Sequence, residues 1–341
     1  MNKSPGLDGL SYEFYKCTWS IIKDTFLLVL QCQLDRGRLI SSDTVGATRL
    51  IPKVEGIPHV EELRPITLLN CDYKILAKVF VQRMKPIMPK VIKSGQLCSV
   101  GDKNILFGIS NILSSIFFIN QSNFGACLLS LDFFKAYDRV FLGFLLKVME
   151  KMGFGISFIS WIKLLHTGAK TRFILAKLTD PILVSFSIRQ GDPLAMFLYI
   201  IYIEPLLVYL EKRVTGIQGP LSLANTGLAP RNLCGGSTEA YCDDVNVITS
   251  SDRDLIVIDE GVRKFEAVSG AILSRNRKCQ ILGLGKWKRR VNWPLDYVVS
   301  VEEVKVFGCF CITRTLGPYK RIGSLGTENL KKPFFLGPRG C

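Results

Sequence analysis

Three carboxylates at the ends of apolar runs are the residues best suited to chemistry in this sequence. Asp132 follows the apolar run 126–131, and Asp243 and Asp244 lie between the two apolar arms of the segment 240–248. Clustered carboxylates repel one another unless a cation neutralises them, and a pair of Mg²⁺ ions held by such acids promotes in-line phosphoryl transfer. If the fold brings the two places together, Asp132 and Asp243 would bridge the metals and Asp244 would support them. The alternative is an ordinary turn, in which aspartates are common.

The elements that must position these acids follow from the hydrophobic pattern. The run 126–132 is typical of a buried strand, and 240–248 predicts a β-hairpin with the acids at its tip. The pair Ser251 and Asp254 has the spacing of a helix capping box. Upstream, the first 120 residues are predicted to be mostly helical. The remaining predictions are helices over 72–84, 141–152, 195–213 and 251–270, a hairpin from 171–175 and 181–187, extended pieces at 50–53 and 63–66, and strands over 278–282 and 304–310.

Length and charge limit the classes of function. A chain of 341 residues with 48% apolar and 21% charged residues is globular and long enough for two or three domains. Its net charge is +15, and 16 basic but only five acidic residues lie in 263–341. Such a basic portion indicates a polyanion partner, most often nucleic acid, although a solubilising surface has the same composition.

Histidine and cysteine usage excludes several enzyme classes. The two histidines, His59 and His166, are far apart, and the 11 cysteines include no C-x-x-C pair. This pattern weighs against multi-histidine zinc sites and against Ser-His-Asp or Cys-His hydrolases. No apolar stretch reaches the roughly 18 residues of a membrane-spanning helix, and residues 1–6 lack the apolar core of a signal peptide. We therefore expect an intracellular protein without a membrane partner.

A series of segments resembles, in chain order, the motifs of the reverse transcriptases of non-LTR (LINE-type) retrotransposons. The segment 241–245 resembles their Tyr-Ala-Asp-Asp box, with Cys242 in place of Ala, and 131–138 resembles their first catalytic box. The other similar segments are 4–10 with 13–16, 50–53, 63–70, 72–78, the Arg-Gln-Gly box at 188–194, Ser269 and Gly270 with Lys278, and 304–308. Each match alone is weak, but the ordered set is specific to the family.

The resemblance implies an α+β chain, within the wider α/β class, with a right-hand polymerase fold. Helical fingers would occupy 1–120, the catalytic palm 121–312, and a truncated or poorly structured start of the thumb 313–341. The palm would be a ferredoxin-like antiparallel sheet with helices on one face. The predicted order of strand, helix, hairpin, helix and strand over 126–282 agrees with that palm.

The resemblance also implies roles at a metal site. The ligands would be three carboxylates and one backbone carbonyl, those of Asp132, Asp243, Asp244 and Phe133. Lys278 would be the general acid that protonates the leaving pyrophosphate. The family spacing from Gly270 would instead place that role at Arg277.

Five further residues fall where the family binds the incoming nucleotide. Lys53 and Arg64 would contact the triphosphate, since a guanidinium pairs with phosphate oxygens; the alternative for each is a solvated surface charge. Tyr137 would be an aromatic gate that clashes with a ribose 2′-hydroxyl, or else a core aromatic residue. Gln190 and Gly191 would lie beside the nucleotide and template, or else form a plain turn before a helix.

The implied activity is that of an RNA-directed DNA polymerase. It would transfer dNTPs onto a primer 3′-hydroxyl with two Mg²⁺ ions, or Mn²⁺ as a substitute, on an RNA template with a DNA primer. A DNA target implies a protein of the nucleus as well as the cytoplasm. A different hypothesis is a glycosyltransferase or nuclease that uses paired aspartates with a metal. It does not explain the segments 50–53, 63–70 and 72–78, which resemble the fingers motifs of the family.

Departures from the family pattern keep a second hypothesis open. Ala195 replaces a Ser, the segment 95–105 matches only loosely, and the chain after Phe310 departs altogether. The chain would then be the polymerase core of a longer polyprotein, or a catalytically inactive, truncated remnant with residual nucleic-acid binding.

Overall fold

The computed structural model describes residues 4–53, 55–92, 95–101, 103–122, 124–217, 237–275, 278–300, 303–307 and 310–313. Apart from Thr313, the predicted start of the thumb lies outside these residues. The described helices are α1 (Tyr12–Asp35), α2 (Ser41–Thr44), α3 (Cys71–Met84), α4 (Met88–Val91), α5 (Ile105–Ser122), α6 (Leu142–Lys151), α7 (Ile156–His166), α8 (Ala195–Arg213) and α9 (Asp252–Ser269). The described strands are β1 (Val45–Pro52), β2 (Leu63–Leu68), β3 (Gly125–Leu131), β4 (Lys170–Phe173), β5 (Ile182–Leu183), β6 (Ser237–Tyr241), β7 (Asp244–Thr249), β8 (Gln280–Gly285), β9 (Val298–Ser300), β10 (Glu303–Val306) and β11 (Phe310–Thr313).

A four-stranded sheet in the order β2, β1, β4, β5 carries the first two extended pieces that the sequence predicts. Strands β1 and β2 form an antiparallel hairpin in which Ile51 lies opposite Arg64, and β1 runs parallel to β4, with Ala47 opposite Arg172. The predicted fingers are therefore not purely helical. Strands β4 and β5 pair as the predicted hairpin, and they come from the stretch predicted as palm. The sheet thus joins both regions, and the boundaries at 120 and 312 stay predictions.

The central five-stranded sheet has the order β6, β7, β3, β8, β9, with β3 antiparallel to both β7 and β8. Side chains of β3 alternate between two hydrophobic clusters: Cys127, Leu129 and Leu131 pack on one face, and Ala126 and Leu128 pack on the other. A strand that is buried on both faces has a continuous apolar sequence, which is why 126–131 shows no polar alternation.

Helices cover both faces of this sheet, whereas the sequence predicted helices on one face. Buried side chains of α6, α8 and α9 share the cluster of Leu129, and α8 is buried nearly all round, with Tyr199 and Tyr202 inside the core. On the other face, Ile112, Ile116 and Ile119 of α5 pack with the cluster of Leu128. The prediction missed this layer because α5 precedes the palm motifs along the chain.

Within the described part of the chain, α5 alone is long and apolar enough, by length and composition, to cross a membrane. One third of it is buried inside the protein, including Ile112, Ile116 and Ile119. These residues pack against the central sheet, whereas Leu106, Phe107 and Phe117 of the same helix are exposed.

The sequence predicted a single strand over 304–310, but the structure has two strands there, β10 and the start of β11. Strand β10 pairs antiparallel with β11, and Val306 lies opposite Phe310. Phe307 has a φ of +51°, in the left-handed region, so the chain turns back at this point.

A mostly apolar cavity of about 340 Å³ lies between α1, α2 and α3, away from the predicted catalytic acids. Asp43 is buried at its wall beside Asp72. Burial raises the pKa of Asp43 to about 8, and the charge of Asp72 and a hydrogen bond with it add to the rise. The folded chain therefore retains a proton on Asp43 at a pH where the unfolded chain has released it.

We expect the substitution Asp43→Asn to flatten the pH dependence of stability. The folded state binds more protons than the unfolded state between about pH 4 and pH 8, so the unfolding free energy of the unaltered chain falls as the pH rises through that window. The slope from one such group is at most about 1.4 kcal/mol per pH unit. Urea unfolding at pH 5, 6.5 and 8 measures it. Asp24→Asn, on the exposed side of α1, controls for the lost charge, and parallel pH profiles for all three chains would refute the assignment.

Candidate active site

A polar cleft of about 410 Å³ lies where the end of β3, the turn between β6 and β7, and the loop end of the β1–β2 hairpin meet. It brings together every site residue that the sequence predicts except Asp244. Its lining residues are Lys53, Arg64, Asp132, Phe133, Lys135, Ala136, Tyr137, Gln190, Gly191, Asp192, Ala195, Met196, Asp243 and Lys278.

The register of the central sheet brings the acids together. Leu131 lies opposite Val245, so Asp132 leaves β3 beside the start of β7. Tyr241 pairs with Asp244 on the last rung of the β6–β7 hairpin, which leaves Cys242 and Asp243 as its two-residue turn. Asp132 and Asp243 therefore line one cleft, as the sequence predicted for the two bridging acids.

Burial and mutual repulsion raise the pKa values of the hairpin acids. Burial raises the pKa of Asp243, and the charge of Asp132 adds to the rise. The pKa of Asp244 rises to about 7, first because of burial and then because of Asp243 and Asp132. Asp244 does not line the cleft, and Lys305 of β10 is among the charges that act on it. Asp243 belongs to the turn, whereas Asp244 is the first residue of β7 and pairs with Tyr241, so the two acids have different surroundings.

The backbone carbonyl of Phe133 faces away from the neighbouring strand-like segment. Phe133 and Leu273 form an antiparallel bridge, in which the Phe134 N–H donates to the Ile272 carbonyl and the Ser274 N–H to the Asp132 carbonyl. In this type of pair, the N–H and C=O of the paired residue itself point outward. The Phe133 carbonyl is thus turned toward the side of the sheet that carries Asp243.

Two side chains from the segment before β8 contact Asp132. The Ser274 hydroxyl donates to Asp132 Oδ2 at 3.0 Å, and Lys278 Nζ lies 3.8 Å from the same oxygen. Lys278 lines the cleft, whereas Arg277 lies outside the described residues. Sequence reasoning missed Ser274, because no motif includes it and only the fold places it beside Asp132.

Cations form the facing wall of the cleft. Lys53 and Arg64 come from the loop end of the β1–β2 hairpin, where the Lys53 N–H donates to the Glu62 carbonyl at 2.9 Å. Burial lowers the pKa of Lys53, and the nearby positive charges of Lys278 and Arg64 lower it further. Crowded cations of this kind favour an anionic ligand.

Tyr137 belongs both to the cleft and to the core beneath it. Its ring lies 4.8 Å from that of Tyr199 at a tilt of 32°, and its hydroxyl donates to the Cys242 sulfur. Burial raises the pKa of Tyr137. Cys242 Sγ in turn lies 2.8 Å from Cys98 Sγ. The ring is therefore fixed in place below the cleft and packs against the core, and a contact with the sugar stays a prediction.

The turn at Gln190 and Gly191 is attached to the β1–β2 hairpin. The Thr67 N–H donates to the Gln190 carbonyl at 2.7 Å, and Gln190 Nε2 lies 3.4 Å from Asp138 Oδ1. Gly191 has a φ of +114°, and a Cβ there would lie 2.3 Å from the Thr67 carbonyl oxygen. Only glycine allows this close approach of two backbones.

The acids suit a hard divalent cation in charge and donor type. Within the described ranges, no three histidine, cysteine, aspartate or glutamate side chains are grouped so as to hold a metal ion. Asp132 and Asp243 nevertheless share the cleft, and repulsion contributes to the raised pKa values of Asp243 and Asp244. A divalent cation, which prefers carboxylate and carbonyl oxygens, would remove that repulsion.

A model of the family described as reverse transcriptase (RNA-dependent DNA polymerase) matches residues 51–309. The chain belongs to the reverse transcriptase family. The matched range contains every residue of the cleft. Family membership and the arrangement of the fingers and palm motifs leave no place for the glycosyltransferase or nuclease hypothesis.

The relatives of this reverse transcriptase chain are proteins of transposable elements. It is 30% identical to the transposon TX1 uncharacterized 149 kDa protein of Xenopus laevis, over 94% of this chain and 25% of that protein. It is 22% identical to the retrovirus-related Pol polyprotein from type-1 retrotransposable element R2 of Popillia japonica, over 82% of this chain and 37% of that protein. The chain thus spans between a quarter and two fifths of these curated relatives. The predicted resemblance to LINE-type reverse transcriptases is confirmed.

Solved structures with a similar fold include telomerases. Apo telomerase from Candida tropicalis aligns with a TM-score of 0.53 at 10% identity, over 87% of this chain and 52% of that chain. A form truncated from its C-terminal domain aligns with a TM-score of 0.52 at 11% identity, over 85% of this chain and 59% of that chain. At this identity the likeness concerns the fold alone, and it confirms the predicted right-hand polymerase fold of the reverse transcriptase.

We expect Gly191→Ala to lower the unfolding free energy more than Gly153→Ala does. Gly153 also has a positive φ, of +84°, but a Cβ there would meet nothing within 4 Å. Gly153→Ala therefore measures the backbone cost alone, on the order of 1 kcal/mol. Gly191→Ala adds the clash with the Thr67 carbonyl and should lose at least about 1 kcal/mol more. Urea unfolding compares the two, and equal losses would contradict the close approach.

Proposed function

We propose that this chain is the catalytic core of an RNA-directed DNA polymerase of a LINE-type retroelement. One observation carries the proposal: Asp132 and Asp243 of the palm share a cleft with Lys53 and Arg64 of the β1–β2 hairpin. Acids that suit divalent cations and bases that suit phosphates face each other across a space of about 410 Å³. A metal-bound nucleoside triphosphate carries both of the complementary charges.

The acids of the palm would hold the metal ions. Asp132, Asp243, Asp244 and the carbonyl of Phe133 would be the ligands of two Mg²⁺ ions, with Mn²⁺ as a substitute. Such ions, when bound, supply Lewis acidity to phosphoryl transfer. The lining of the cleft by Asp132 and Asp243 supports a bridging role for these two residues.

The remaining cleft residues would bind and orient the nucleotide. Lys53 and Arg64 would bind oxygens of the triphosphate, and Tyr137 would lie under the sugar. The primer 3′-hydroxyl would lose its proton to solvent water as its oxygen forms a bond to the α-phosphorus, while the bond from that phosphorus to the oxygen bridging to the β-phosphate breaks. Lys278, exposed at the cleft edge, would give a proton to the departing pyrophosphate.

The nucleic-acid partners would be an RNA template and a DNA primer. The net charge of +15, concentrated in the last quarter of the chain, supports sequence-independent binding to phosphates. A DNA primer places the activity in the nucleus, after synthesis of the protein in the cytoplasm.

Replacement of Asp243 tests the polymerase assignment directly. We expect Asp243→Asn to reduce primer extension on an RNA template with Mg²⁺ by about 100-fold or more, because it removes a carboxylate that would hold the divalent cations. Its unfolding free energy should not fall, since the substitution removes a buried, repelled carboxylate. Asp296→Asn makes the same chemical change on the exposed surface and serves as the control. Equal extension by Asp243→Asn and the unaltered chain would refute the site, and no extension by the unaltered chain would favour the inactive remnant.

Replacement of Tyr137 tests the role in sugar selection. We expect Tyr137→Val to raise incorporation of ribonucleotides relative to deoxyribonucleotides by about tenfold or more, because the ring would no longer meet a 2′-hydroxyl. Tyr137→Phe keeps the ring and loses only the hydrogen bond to Cys242, so it should keep the preference for dNTPs. Competition between labelled rNTP and dNTP in primer extension measures the ratio. A shift of the same size in both variants would assign the effect to loss of core packing.

A further inference from the structure

We infer that Asp192 is a positioning residue that, together with Tyr73, holds the turn at Gln190 and Gly191 in its nucleotide-binding shape. The inference rests on the proposed polymerase function, since it concerns the affinity of the same cleft for the incoming nucleotide. Nothing in the chemistry of the reaction requires Asp192, and its role follows from what its carboxylate touches.

The carboxylate of Asp192 joins three separate elements. It is only 6% exposed. The Leu194 N–H, just before α8, donates to Oδ1 at 2.8 Å, and the Tyr73 hydroxyl of α3 donates to Oδ2 at 2.5 Å. His166 Nε2, at the end of α7, lies 3.4 Å from the same Oδ2. One buried carboxylate thus ties α3, α7 and the start of α8 together.

Partners keep this carboxylate ionised despite its burial. Burial alone would raise the pKa of Asp192, but the hydrogen bond and charge of His166 and the charge of Arg189 outweigh it, so the pKa is lowered. Removing a partner from a buried ionised group is costly, because the charge cannot regain its water. The position of Asp192 is therefore strongly tied to that of Tyr73.

Arg189 strengthens the same connection. Its guanidinium carbon lies 4.8 Å from the centroid of the Tyr73 ring, and Nη1 donates to the Thr44 carbonyl at 3.1 Å. Its side chain is buried, with Nε and Nη2 making no hydrogen bond within the described residues. Stacking on Tyr73 and the charge of Asp192 are thus its main restraints besides Thr44.

The turn that binds the nucleotide lies between these two anchors. Arg189 and Asp192 close it, since the Asp192 N–H donates to the Arg189 carbonyl at 3.0 Å. On its other side, the Thr67 N–H holds the Gln190 carbonyl, and the unusual φ of Gly191 brings it against the Thr67 backbone. If Asp192 loosens, the strained Gly191 can relax, and Gln190 then leaves its place in the cleft wall.

The substitution Tyr73→Phe removes one hydroxyl and keeps the ring. We expect the KM for dNTP in primer extension to rise about tenfold, as loss of a hydrogen bond to a charged group predicts, with kcat changed less than twofold and the Kd for primer–template unchanged. Asp192→Asn, which removes the charge, should raise the KM for dNTP at least as much.

A matched control separates positioning from stability. Tyr202 is also fully buried, and its hydroxyl donates to the Ser269 carbonyl at 3.1 Å, away from the turn. Tyr202→Phe should lower the unfolding free energy about as much as Tyr73→Phe does, but leave the KM for dNTP unchanged. Equal changes of KM in the two variants would overturn the inference and leave Asp192 a purely structural residue.

Hydrogen exchange gives a readout that does not need polymerase activity. The Thr67 amide is held by the Gln190 carbonyl, so Tyr73→Phe should speed its exchange about tenfold while Tyr202→Phe should not. An unchanged rate at Thr67 in Tyr73→Phe would refute the inference even if the chain extends no primer. Failure of extension together with faster exchange would refute the proposed function and keep the positioning role.

Discussion

Repulsion among the clustered carboxylates Asp132, Asp243 and Asp244 is the constraint on which the described structure depends. It contributes to raising the pKa values of Asp243 and Asp244, so the fold must hold the three acids together against their charges. The holding force is hydrophobic, because β3 is packed on both faces. A slip of β3 by one residue would exchange those faces and disrupt both clusters. Packing remote from the cleft thus fixes the register that brings Asp132 beside the hairpin tip.

The two walls of the cleft complement each other electrostatically. The palm wall carries Asp132 and Asp243, and the hairpin wall carries Lys53 and Arg64, whose charges crowd enough to contribute to a lowered pKa of Lys53. Like charges repel one another within each wall, and the acids of one wall attract the bases of the other. The cleft between the walls keeps these opposite charges from direct contact. A ligand that brings cations to the acids and phosphates to the bases would relieve both kinds of repulsion at once.

Local patterns predicted the elements that depend on local sequence. The apolar run before Asp132 and the helix over 195–213 were predictable because burial leaves a continuous apolar signature. The capping box predicted at Ser251 and Asp254 was wrong. Ser251 makes no side-chain cap hydrogen bond, and the Asp254 carboxylate instead accepts from Thr215 and Thr249. The Asp254 carboxylate could accept hydrogen bonds at the helix end or from other segments. Sequence spacing shows only the first possibility, whereas the fold places Thr215 and Thr249 beside it.

The same limit applies to the candidate site. Motif order predicted which residues line the cleft. The side chains that orient them come from residues to which no site role was predicted: Ser274 donates a hydrogen bond to Asp132, and Tyr73 donates one to Asp192. Asp244, although adjacent to Asp243, lies outside the cleft lining, since it pairs with Tyr241 at the start of β7 whereas Asp243 belongs to the turn.

Two buried aspartates other than the three clustered acids show how partners decide the consequence of burial. Asp43 and Asp192 are equally hidden from solvent, yet the pKa of Asp43 is raised and that of Asp192 is lowered. Asp43 faces another carboxylate at the wall of an apolar cavity, so the neutral form is favoured. Asp192 faces His166 and Arg189, so the charged form persists. An ionised carboxylate forms stronger hydrogen bonds than a neutral one, and the chain has this form beside the turn in which Gly191 has a φ of +114° and lies against the Thr67 backbone.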